Sequence, residues 1–473
     1  MLNAGSASTV ADIPPIAEDA NAIGVVNPAE ETIIDHVPVS HLFQLERIIQ
    51  SAKEIFPEWK SQLESRRIAL AECAAAIASR KRELAELITL EQGKPINESL
   101  QEVEYAAKQF QFYSKFELPD RILGDDSKTL TRLRLQPHGI AGLITPWNFP
   151  IGTASVKIAP ALLAGNVVVL KPSAYTPLSS ILLNETIRHR LPKGVFNIVI
   201  GGDGLGEAIA QHPEIAKLSL TGSIRTGRRA MCSAADNLKR LTLELGGNDP
   251  AIVLEDAHPE LIAKPIIDAA FRNAGQVCSA IKRLYAPRSL RDSILDALLD
   301  AISTLKLGNG LDPRSNLGPL AHAKTYKRFK RIVSESISKG AKILSGGNLN
   351  RRQGYFFPPT LIYDVDNGCS IVDQEQFGPA LPVIFYDKLE TAIAKANDSA
   401  FGLSASVWTS DPDTAEATAL QLENGRIGIN GHKRSDTTAP FGGFKQSGLG
   451  RELGEWGLQG MGELQVINRF RRL

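Results

Sequence analysis

Residues 140–173 read IAGLITPWNFPIGTASVKIAPALLAGNVVVLKPS. The apolar residues 140–144 are typical of a strand, and a helical pattern follows over residues 151–163 and ends near Gly165. Residues 167–170 are a continuous β-branched and apolar run, which predicts a buried strand. The order strand, helix, strand predicts one unit of a parallel sheet with crossover helices.

The same alternation continues downstream. Helices are predicted over residues 177–191 and 206–211, and strands over residues 195–200 and 217–220. A second α/β region extends from about residue 249 to residue 442. Its predicted strands are residues 251–254, 283–285, 380–384 and 427–429, and its predicted helices are residues 289–306 and 325–339. We therefore expect an α/β protein that contains a Rossmann-like sheet and a second α/β region.

The flanking segments have other patterns. Residues 42–116 repeat apolar positions at intervals of three and four, which predicts several amphipathic helices. Residues 121–136 are typical of a strand pair, and residues 464–467 of a short apolar strand. Residues 1–22 are rich in Ala, Ser, Asp and Pro and are expected to form a loose arm.

Composition limits the classes of function. The chain has 473 residues, 43% hydrophobic and 22% charged residues, and a net charge of +1, so we expect two or three domains and neither a nucleic-acid nor a membrane surface. The four cysteines have neither metal-ligand nor disulfide spacing, which predicts a reducing compartment and no metal site. Because the N-terminal residues lack signal-peptide features, we expect a cytoplasmic protein.

Cys278 lies in the run FRNAGQVCSA, residues 271–280, and follows Glu244 by about thirty positions. An arbitrary free cysteine is most often a small buried apolar residue. Here Gly275 and Gln276 permit a close backbone approach, and small neighbours leave the sulfur room to react. We interpret Cys278 as a nucleophile whose backbone N–H can help to hold an oxyanion.

Two more side chains complete a set suited to covalent oxidation of an aldehyde. Asn148, in the run PWNFP of residues 146–150, either organises a turn or donates its amide to an oxyanion. Glu244 follows the strand-like residues 241–243. It is either a solvent-facing carboxylate or a general base whose pKa its apolar setting raises.

These motifs, PWNFP, ELGG and GQVC, resemble those of the NAD(P)-dependent aldehyde dehydrogenase superfamily, and the resemblance covers about residues 25–466. It implies that Cys278 forms a thiohemiacetal and then a thioester, that Asn148 holds the oxyanion, and that Glu244 activates the deacylating water. Glu452, in the run GRELG, matches a further carboxylate that can relay protons. Without the resemblance, an Arg-Glu pair at a helix start is usually structural.

The resemblance also implies a cleft for NAD or NADP at the carboxyl ends of the strands. Gly204 belongs to the run GGDGLG of residues 201–206, which departs from the standard dinucleotide fingerprint and is by itself equally typical of a loop. Glu375 resembles the residue that bonds the nicotinamide ribose, and Phe377 the residue that packs near that ring. The expected cofactor contacts are Thr145, Trp147, Lys171, Ser173, Ala174, Gly204, Gly222, Ser223, Arg225, Gly246, Glu375 and Phe377.

Position 174 bears on the choice between NAD and NADP. Many NAD-preferring relatives place a glutamate there, three residues after Lys171, to grip the adenosine ribose hydroxyls. This chain has Ala174, and Arg225 lies just beyond Gly222 and Ser223, at a helix N-terminus expected to meet the pyrophosphate. Because a missing carboxylate removes a repulsion against a 2′-phosphate, we hypothesise that NADP is accepted or preferred.

Arg272, six residues before Cys278, indicates a substrate with an anionic tail. In the similar succinate-semialdehyde dehydrogenases an arginine here binds the substrate carboxylate; the alternative is a salt bridge to a nearby acid. The loop GHKRSD, residues 431–436, is expected to line the tunnel mouth, although such a charge run also fits a solvated loop. The expected substrate contacts are Phe149, Arg272, Val277, Ser279, His432, Arg434 and Ser435.

Val156 stands where the semialdehyde enzymes often have a second arginine. The alternatives to succinate semialdehyde are therefore another semialdehyde, a phosphorylated or sulfonated aldehyde, and a polar aromatic aldehyde. Simple aromatic or aliphatic aldehydes are further alternatives. A CoA-acylating enzyme and a non-catalytic scaffold are further alternatives. Glu244 argues against transfer to CoA, because a base that activates water is needed for hydrolysis. The intact set of site residues argues against a scaffold.

The resemblance further implies a domain organisation and an oligomer. Residues 1–22 would be a flexible arm, and residues 247–446 a catalytic domain. A cofactor-binding domain would comprise residues 23–117 and 139–246. Residues 118–138 and 455–473 would form an oligomerisation arm that joins protomers into a homodimer or homotetramer. The expected partner is a small-molecule aldehyde.

Overall fold

The computed structural model describes residues 21–347, 353–432 and 436–471. Most of the predicted N-terminal arm, together with Arg434 and Ser435, therefore lies outside the described residues. The strands are β1 (Ala22–Asn27), β2 (Thr32–Pro38), β3 (Asp120–Asp125), β4 (Thr129–Pro137), β5 (Ile140–Ile144), β6 (Val167–Lys171), β7 (Phe196–Ile198), β8 (Ile215–Thr221), β9 (Arg240–Glu244), β10 (Asp249–Val253), β11 (Ile281–Pro287), β12 (Lys342–Ser345), β13 (Thr360–Tyr363), β14 (Ala380–Tyr386), β15 (Ser404–Trp408), β16 (Arg426–Ile429), β17 (Gly448–Leu449) and β18 (Gly462–Phe470). The helices are α1 (Leu42–Ser61), α2 (Leu63–Ser79), α3 (Lys81–Gln92), α4 (Ile96–Ser114), α5 (Pro150–Ala164), α6 (Leu178–Ile187), α7 (Asp203–Gln211), α8 (Ile224–Ala234), α9 (Pro259–Phe271), α10 (Arg291–Ser303), α11 (Ala323–Ser338), α12 (Ser370–Asp373), α13 (Leu389–Asn397), α14 (Pro412–Ala419) and α15 (Gly454–Gln459).

The first large sheet has the strand order β17-β9-β8-β5-β6-β7. Strands β5 to β9 run parallel, and β17 pairs antiparallel with β9. The chain builds outward from β5 on one side and then crosses to β8 on the other, so a crevice opens at the carboxyl ends of β5 and β8, where ligands bind in such sheets. Residues 167–170 of β6 are fully buried because helices cover both faces of the sheet.

The second large sheet has the order β12-β13-β14-β11-β10-β15-β16 and is parallel except for β12. Its strand β10 begins with Asp249, five residues after Glu244 ends β9, so a short connection joins the two sheets. Strand β11 starts at Ile281, three residues after Cys278. Glu244 therefore lies at a carboxyl end of the first sheet, and Cys278 just before an amino end of the second.

Two smaller sheets complete the structure. Strands β1 and β2 form an antiparallel hairpin, and β18, β4 and β3 form an antiparallel sheet in which all nine residues of β18 pair with β4. Large apolar side chains of this three-stranded sheet are exposed: Ile122, Leu123, Leu464, Val466, Ile467 and Phe470. Within the described ranges, no helix combines the length and the apolar character that a bilayer span requires.

The predicted α/β class and the strand–helix–strand unit of residues 140–173 are confirmed. Gly165 ends α5 in a left-handed conformation, with φ of 99°. Several elements differ in extent from the prediction. The strand predicted over residues 195–200 keeps only β7, and the helix over residues 177–191 ends as α6 at Ile187, before a 3₁₀ turn. Strand β18 is longer than predicted, and β1 begins at Ala22, inside the predicted arm.

Candidate active site

A cavity of about 430 Å³ lies between residues of the two large sheets. Glu244 and Thr221 contribute from the first sheet, and Ser404 from the second. The cavity brings together most of the predicted catalytic and substrate residues: Phe149, Glu244, Arg272, Val277, Cys278, Ser279, His432 and Glu452.

Cys278 follows a tightly wound turn. Asn273, Ala274 and Gly275 have positive φ angles of 48°, 53° and 71°, a strained conformation for the two residues that carry a Cβ. A Cβ on Gly275 would clash with the carbonyl oxygen of Gly378, so only glycine fits at this position. This is the close backbone approach that the sequence indicated. The turn leaves Cys278 partly exposed at the cavity wall.

Asn148 is tied to this turn. It lies between β5 and α5, and its Nδ2 donates to the carbonyl of Gln276 at 2.9 Å, two residues before Cys278. The carbonyl of Asn148 accepts from Lys94 Nζ at 2.6 Å and from Asn273 Nδ2 at 3.0 Å. The amide is therefore fixed beside the thiol segment, where an N–H donor can meet developing negative charge.

Glu244 ends β9 inside the cavity wall and is 3% exposed. Neither of its carboxyl oxygens has a hydrogen-bond partner among the described residues. Burial raises the pKa of Glu244 well above its usual range, and the carboxylate of Glu452 adds to the effect. A carboxylate with a raised pKa is a stronger base near neutral pH, as general-base chemistry requires.

Glu452 is a member of a buried polar chain. Its Oε1 accepts a hydrogen bond from Lys157 Nζ and lies 3.2 Å from Ser219 Oγ. Lys157 and Ser219 are fully buried. Glu452 thus lines the cavity, where its charge raises the pKa of Glu244, and is also bonded to buried polar groups on α5 and β8.

Arg272 contacts an acidic residue and an aromatic ring. Its Nε lies 3.8 Å from Glu98 Oε2, and its guanidinium stacks over Phe149, 5.5 Å from the ring centroid. Its terminal nitrogens hydrogen-bond to none of the described residues, and its side chain is 25% exposed and lines the cavity. The ion pair forms, but it leaves the planar end of the guanidinium accessible.

His432, an expected substrate contact, lines the cavity but is held within its wall instead of extending into solvent. Its side chain is 1% exposed; Nδ1 meets Ser406 Oγ at 3.0 Å and Nε2 meets the carbonyl of Ser279 at 3.0 Å. Burial against these two groups makes His432 part of the cavity wall near Cys278. Arg434 and Ser435 lie outside the described residues.

The predicted adenosine side surrounds a second, smaller cavity of about 80 Å³, lined by Lys171, Asp203, Arg225 and Arg229 among others. Burial lowers the pKa of Lys171 to about 8, while the carboxylate of Asp203 favours its charged form. Arg225 is exposed and forms no hydrogen bond or ion pair with any described residue, whereas Arg229 pairs with Glu207 at 2.6 Å.

Further predicted cofactor contacts follow the carboxyl ends of strands β6, β7 and β8. Ser223 caps α8, since its Oγ accepts from the backbone of Thr226 at 3.2 Å, and Gly222 precedes it. A Cβ on Gly204 would meet nothing within 4 Å, so open space adjoins this glycine. Ser173 follows β6 and accepts a hydrogen bond from the backbone of Tyr175. Ala174, in contrast, is buried against the β1–β2 hairpin in an apolar cluster.

The predicted nicotinamide side is also assembled. The ring of Trp147 meets that of Phe377 edge-on, with 5.4 Å between centroids. Glu375 Oε1 accepts from the backbone N–H of Gly247 at 3.1 Å, and a Cβ on Gly246 would stand 2.4 Å from Glu375 Oε2. Desolvation raises the pKa of Glu375 to about 7.

These residues fit a dinucleotide. The hydroxyls of Thr145 and Thr221, at the ends of β5 and β8, are buried and have no partner among the described residues. Orphaned donors beside a helix N-terminus and a buried lysine suit the ribose and phosphate groups of NAD(P). Lys171 and the start of α8 would hold the adenosine half, and Glu375 and Phe377 the nicotinamide half.

Two buried polar residues near the thiol were missed at the sequence level. Lys282, on β11, and Asp249, on β10, lie within interaction distance of Cys278 and His432 respectively. Because Lys282 is followed directly by Arg283, the sequence gives no sign that the lysine is buried; its full burial in the fold is what singles it out, since lysine is almost never fully buried without a partner.

Comparisons with known proteins agree with this site. The model of the aldehyde dehydrogenase family matches residues 16–467. The glutarate-semialdehyde dehydrogenase of Pseudomonas aeruginosa is 36% identical over 460 residues, which cover 95% of each chain. The NADP(+) succinate-semialdehyde dehydrogenase GabD of Escherichia coli is 37% identical over 460 residues, again 95% of each chain.

Solved structures share the architecture. The betaine aldehyde dehydrogenase of Staphylococcus aureus in complex with NAD+ superposes with a TM-score of 0.91 at 33% identity, covering 95% of this chain and 92% of that one. An aldehyde dehydrogenase from Brucella melitensis gives a TM-score of 0.93 at 33% identity over 97% and 95% of the two chains. The family model covers nearly the full length of the chain, and the thiol, the carboxylate and the residues that fit a dinucleotide lie where two β-sheets meet. The chain therefore belongs to the aldehyde dehydrogenase family of NAD(P)-dependent oxidoreductases.

Proposed function

We propose that this enzyme oxidises an aldehyde with an anionic tail, such as a semialdehyde, to the carboxylic acid through a covalent intermediate on Cys278. The observation that carries the proposal is one cavity with Cys278 and Glu244 in its wall and the accessible guanidinium of Arg272 beside them. The two ends of such a substrate, a carbonyl and a carboxylate, match these groups.

The residues act in sequence. The Cys278 thiolate attacks the carbonyl carbon, and the oxygen becomes an oxyanion held by Asn148 Nδ2 and the Cys278 backbone N–H. Bound NAD(P)+ supplies the hydride acceptor, so the loss of hydride leaves an acyl thioester on the sulfur. Glu244 then takes a proton from water, the resulting hydroxide attacks the thioester, and the C–S bond breaks to release the acid and restore the thiolate.

Glu452 and Lys157 support proton transfer away from Glu244. Glu452 lies close enough to raise the pKa of Glu244, and its own carboxylate is held by Lys157. A proton accepted by Glu244 in deacylation thus has a buried polar chain beside it through which it can leave the cavity.

Magnitudes favour a ligand carboxylate over Glu98 as the partner of Arg272. The pair with Glu98 is 3.8 Å long and partly exposed, which makes it worth about 0–1 kcal/mol. Charge-assisted hydrogen bonds to an ionised ligand are worth about 1.5–3 kcal/mol each. The two relatives named above carry glutarate and succinate semialdehyde in their names, which supports the class of substrate. Val156 in the cavity wall, where a second arginine often stands in succinate-semialdehyde enzymes, favours a substrate other than succinate semialdehyde.

A panel assay tests the proposal. NAD(P)H absorbance is followed with four-, five- and six-carbon semialdehydes, a phosphorylated aldehyde, a polar aromatic aldehyde and the neutral aldehydes of matched length, each with and without coenzyme A. Higher kcat/KM for anionic aldehydes and independence of coenzyme A support it. A preference for neutral aldehydes, acyl-CoA as product, or no turnover at all contradicts it.

The domain and oligomer assignments are part of the same proposal. The split of the chain between two large sheets supports a cofactor-binding domain of residues 23–117 and 139–246 and a catalytic domain of residues 247–446. The exposed apolar side chains of β3, β4 and β18 support an arm that joins protomers into a dimer or tetramer. A reactive Cys278 that must remain a thiol supports a reducing, cytoplasmic location.

A further inference from the structure

Lys282 is a fully buried ammonium group beside the catalytic thiol. It lies on β11, four residues after Cys278, and is 0% exposed. Its Nζ donates a hydrogen bond to the carbonyl of Gly275 and lies 5.5 Å from the centroid of the Phe377 ring. An isolated buried charge costs several kcal/mol, so its surroundings must compensate it.

The compensation comes from the site itself. Burial lowers the pKa of Lys282 to about 8, while Glu375, Asp249 and Cys278, in decreasing order, favour its charged form, and Arg328 opposes it. Lys282 is thus mostly protonated at pH 7, and its charge interacts with the thiol, with the carboxyl group proposed for the nicotinamide ribose and with a buried aspartate.

The two carboxyl groups among these have further contacts of their own. Asp249 Oδ2 lies 3.6 Å from His432 Nε2, and its Oδ1 accepts from the backbone of Ser404. Glu375 Oε1 accepts from the backbone of Gly247. The ring of His432 also contacts Ser406 Oγ and the Ser279 carbonyl, so Asp249 is one of three groups around this histidine.

The hydrogen bond to Gly275 acts on the strained turn. Gly275 is the last of three consecutive residues with positive φ, and its α-carbon abuts the carbonyl of Gly378, three residues after Glu375. The carbonyl held by Lys282 lies three residues before Cys278. One ammonium therefore holds the thiol turn and faces the segment of Glu375.

We infer that Lys282 is a positioning residue for the proposed oxidation: its ammonium fixes the turn before Cys278 through the Gly275 carbonyl and supplies the positive charge that favours the Cys278 thiolate. The inference rests on the proposed nucleophilic role of Cys278. A lysine four residues beyond the thiol thus does the electrostatic work that an adjacent histidine does in other thiol enzymes.

Three variants separate the hydrogen bond from the charge. Lys282→Met keeps the length of the side chain and removes both, Lys282→Gln keeps a donor without the charge, and Lys282→Arg keeps both. Lys239→Met is the matched control, because Lys239 is also a buried lysine that donates to backbone carbonyls, of His212 and Ile215, away from the site. All variants carry Cys232→Ser and Cys369→Ser, so that iodoacetamide reports on Cys278.

The measurement is the rate of Cys278 alkylation against pH in the apo enzyme, with unfolding temperature as the control for folding. Lys282→Met and Lys282→Gln should raise the midpoint of the alkylation profile by about one pH unit, the effect of removing a nearby opposite charge. Lys282→Arg and Lys239→Met should leave the midpoint in place. A wild-type midpoint in folded Lys282→Gln, or a shift in Lys282→Arg as large as that in Lys282→Met, overturns the inference. If Lys282→Met does not fold, Lys282→Gln decides alone. Alkylation needs no turnover, so a wrong assignment of the reaction would show in the aldehyde panel and not here.

Discussion

The guanidinium carbon of Arg272 lies over the Phe149 ring, 5.5 Å from its centroid, and the terminal nitrogens of the guanidinium remain open to the cavity. We expect Arg272→Ala to raise KM for the preferred anionic aldehyde about tenfold or more, through the loss of one charge-assisted contact. Steady-state kinetics with the anionic aldehyde and its neutral analogue provide the measurement.

The matched control is Lys108→Ala. Lys108 is another cation that lines the same cavity, where it pairs with Glu104. It should change KM much less, and the neutral analogue should respond to neither variant. An unchanged KM for the anionic aldehyde in Arg272→Ala would remove the argument for an anionic tail.

Replacement of the thiol separates chemistry from binding. Cys278→Ser should lower kcat by at least about 10³-fold, because a serine hydroxyl is far less ionised than a thiol, and leave dinucleotide affinity and unfolding temperature unchanged. Cys232→Ser, on the exposed face of α8, is the control and should retain full activity. Unimpaired turnover by folded Cys278→Ser would end the assignment of the nucleophile.

Glu244→Gln should stop the reaction after the first half. The amide keeps the size of the side chain but cannot accept the proton of water, so the thioester accumulates. Stopped-flow absorbance should show a burst close to one NAD(P)H per site and then a steady state slower by about 10²–10⁴-fold. Hydroxylamine, which cleaves thioesters directly, should restore turnover; its failure to do so would place the defect before acylation.

Dinucleotide affinity should depend on pH through Glu375, whose pKa desolvation raises to about 7. The protonated carboxyl group loses an acceptor for ribose hydroxyls, so binding should tighten as pH rises. If only the carboxylate binds, the change between pH 6 and pH 8 is about tenfold. Tryptophan fluorescence titrations of NAD(P) at both pH values measure it, and Glu375→Gln should flatten the difference. An equal slope in that variant would assign the pH dependence to another group.

The use of NADP is best tested at Arg225, because a substitution at position 174 would change packing as well as charge. Ala174 is packed against the β1–β2 hairpin, so a glutamate substitution there would disturb an apolar cluster as well as add charge. Arg225→Ala should weaken NADP binding about tenfold and leave NAD binding unchanged. Arg228→Ala, an exposed arginine of the same helix that donates to Gln446, is the control. Equal affinity loss for both dinucleotides in Arg225→Ala would contradict a contact with the 2′-phosphate.

Much of the fold was predictable because its signals are local. The buried run of residues 167–170 and the glycine that ends α5 at residue 165 both follow from short-range chemistry. Strand β7 was predicted too long because the apolar pattern continues through residues 199 and 200, which pack into clusters after the strand has ended, although Val199 still donates one backbone hydrogen bond to Leu170 of β6. The pairing of β17 with β9 joins residues about 200 positions apart and has no local signature.

The site divides in the same way. Cys278, Asn148 and Glu244 lie in short motifs, and the resemblance of those motifs to the aldehyde dehydrogenase superfamily indicated their roles. The burial of His432 was not predictable, because it depends on Ser406 and Ser279, which are distant from it in sequence. Lys282 was missed since its neighbours Glu375 and Asp249 are distant in sequence, so the compensation of its charge is visible only after folding.

The return of β17 to the first sheet has a consequence for biosynthesis. A ribosome releases β5 to β9 long before it makes residues 448–449, so β9, with Glu244 at its end, is an uncovered sheet edge through the synthesis of about 200 further residues. Such edges recruit other strands, which makes the nascent chain most prone to aggregation during this interval. Genetic fusions or split versions of the enzyme that interrupt the chain between residues 246 and 448 would make that transient vulnerability permanent.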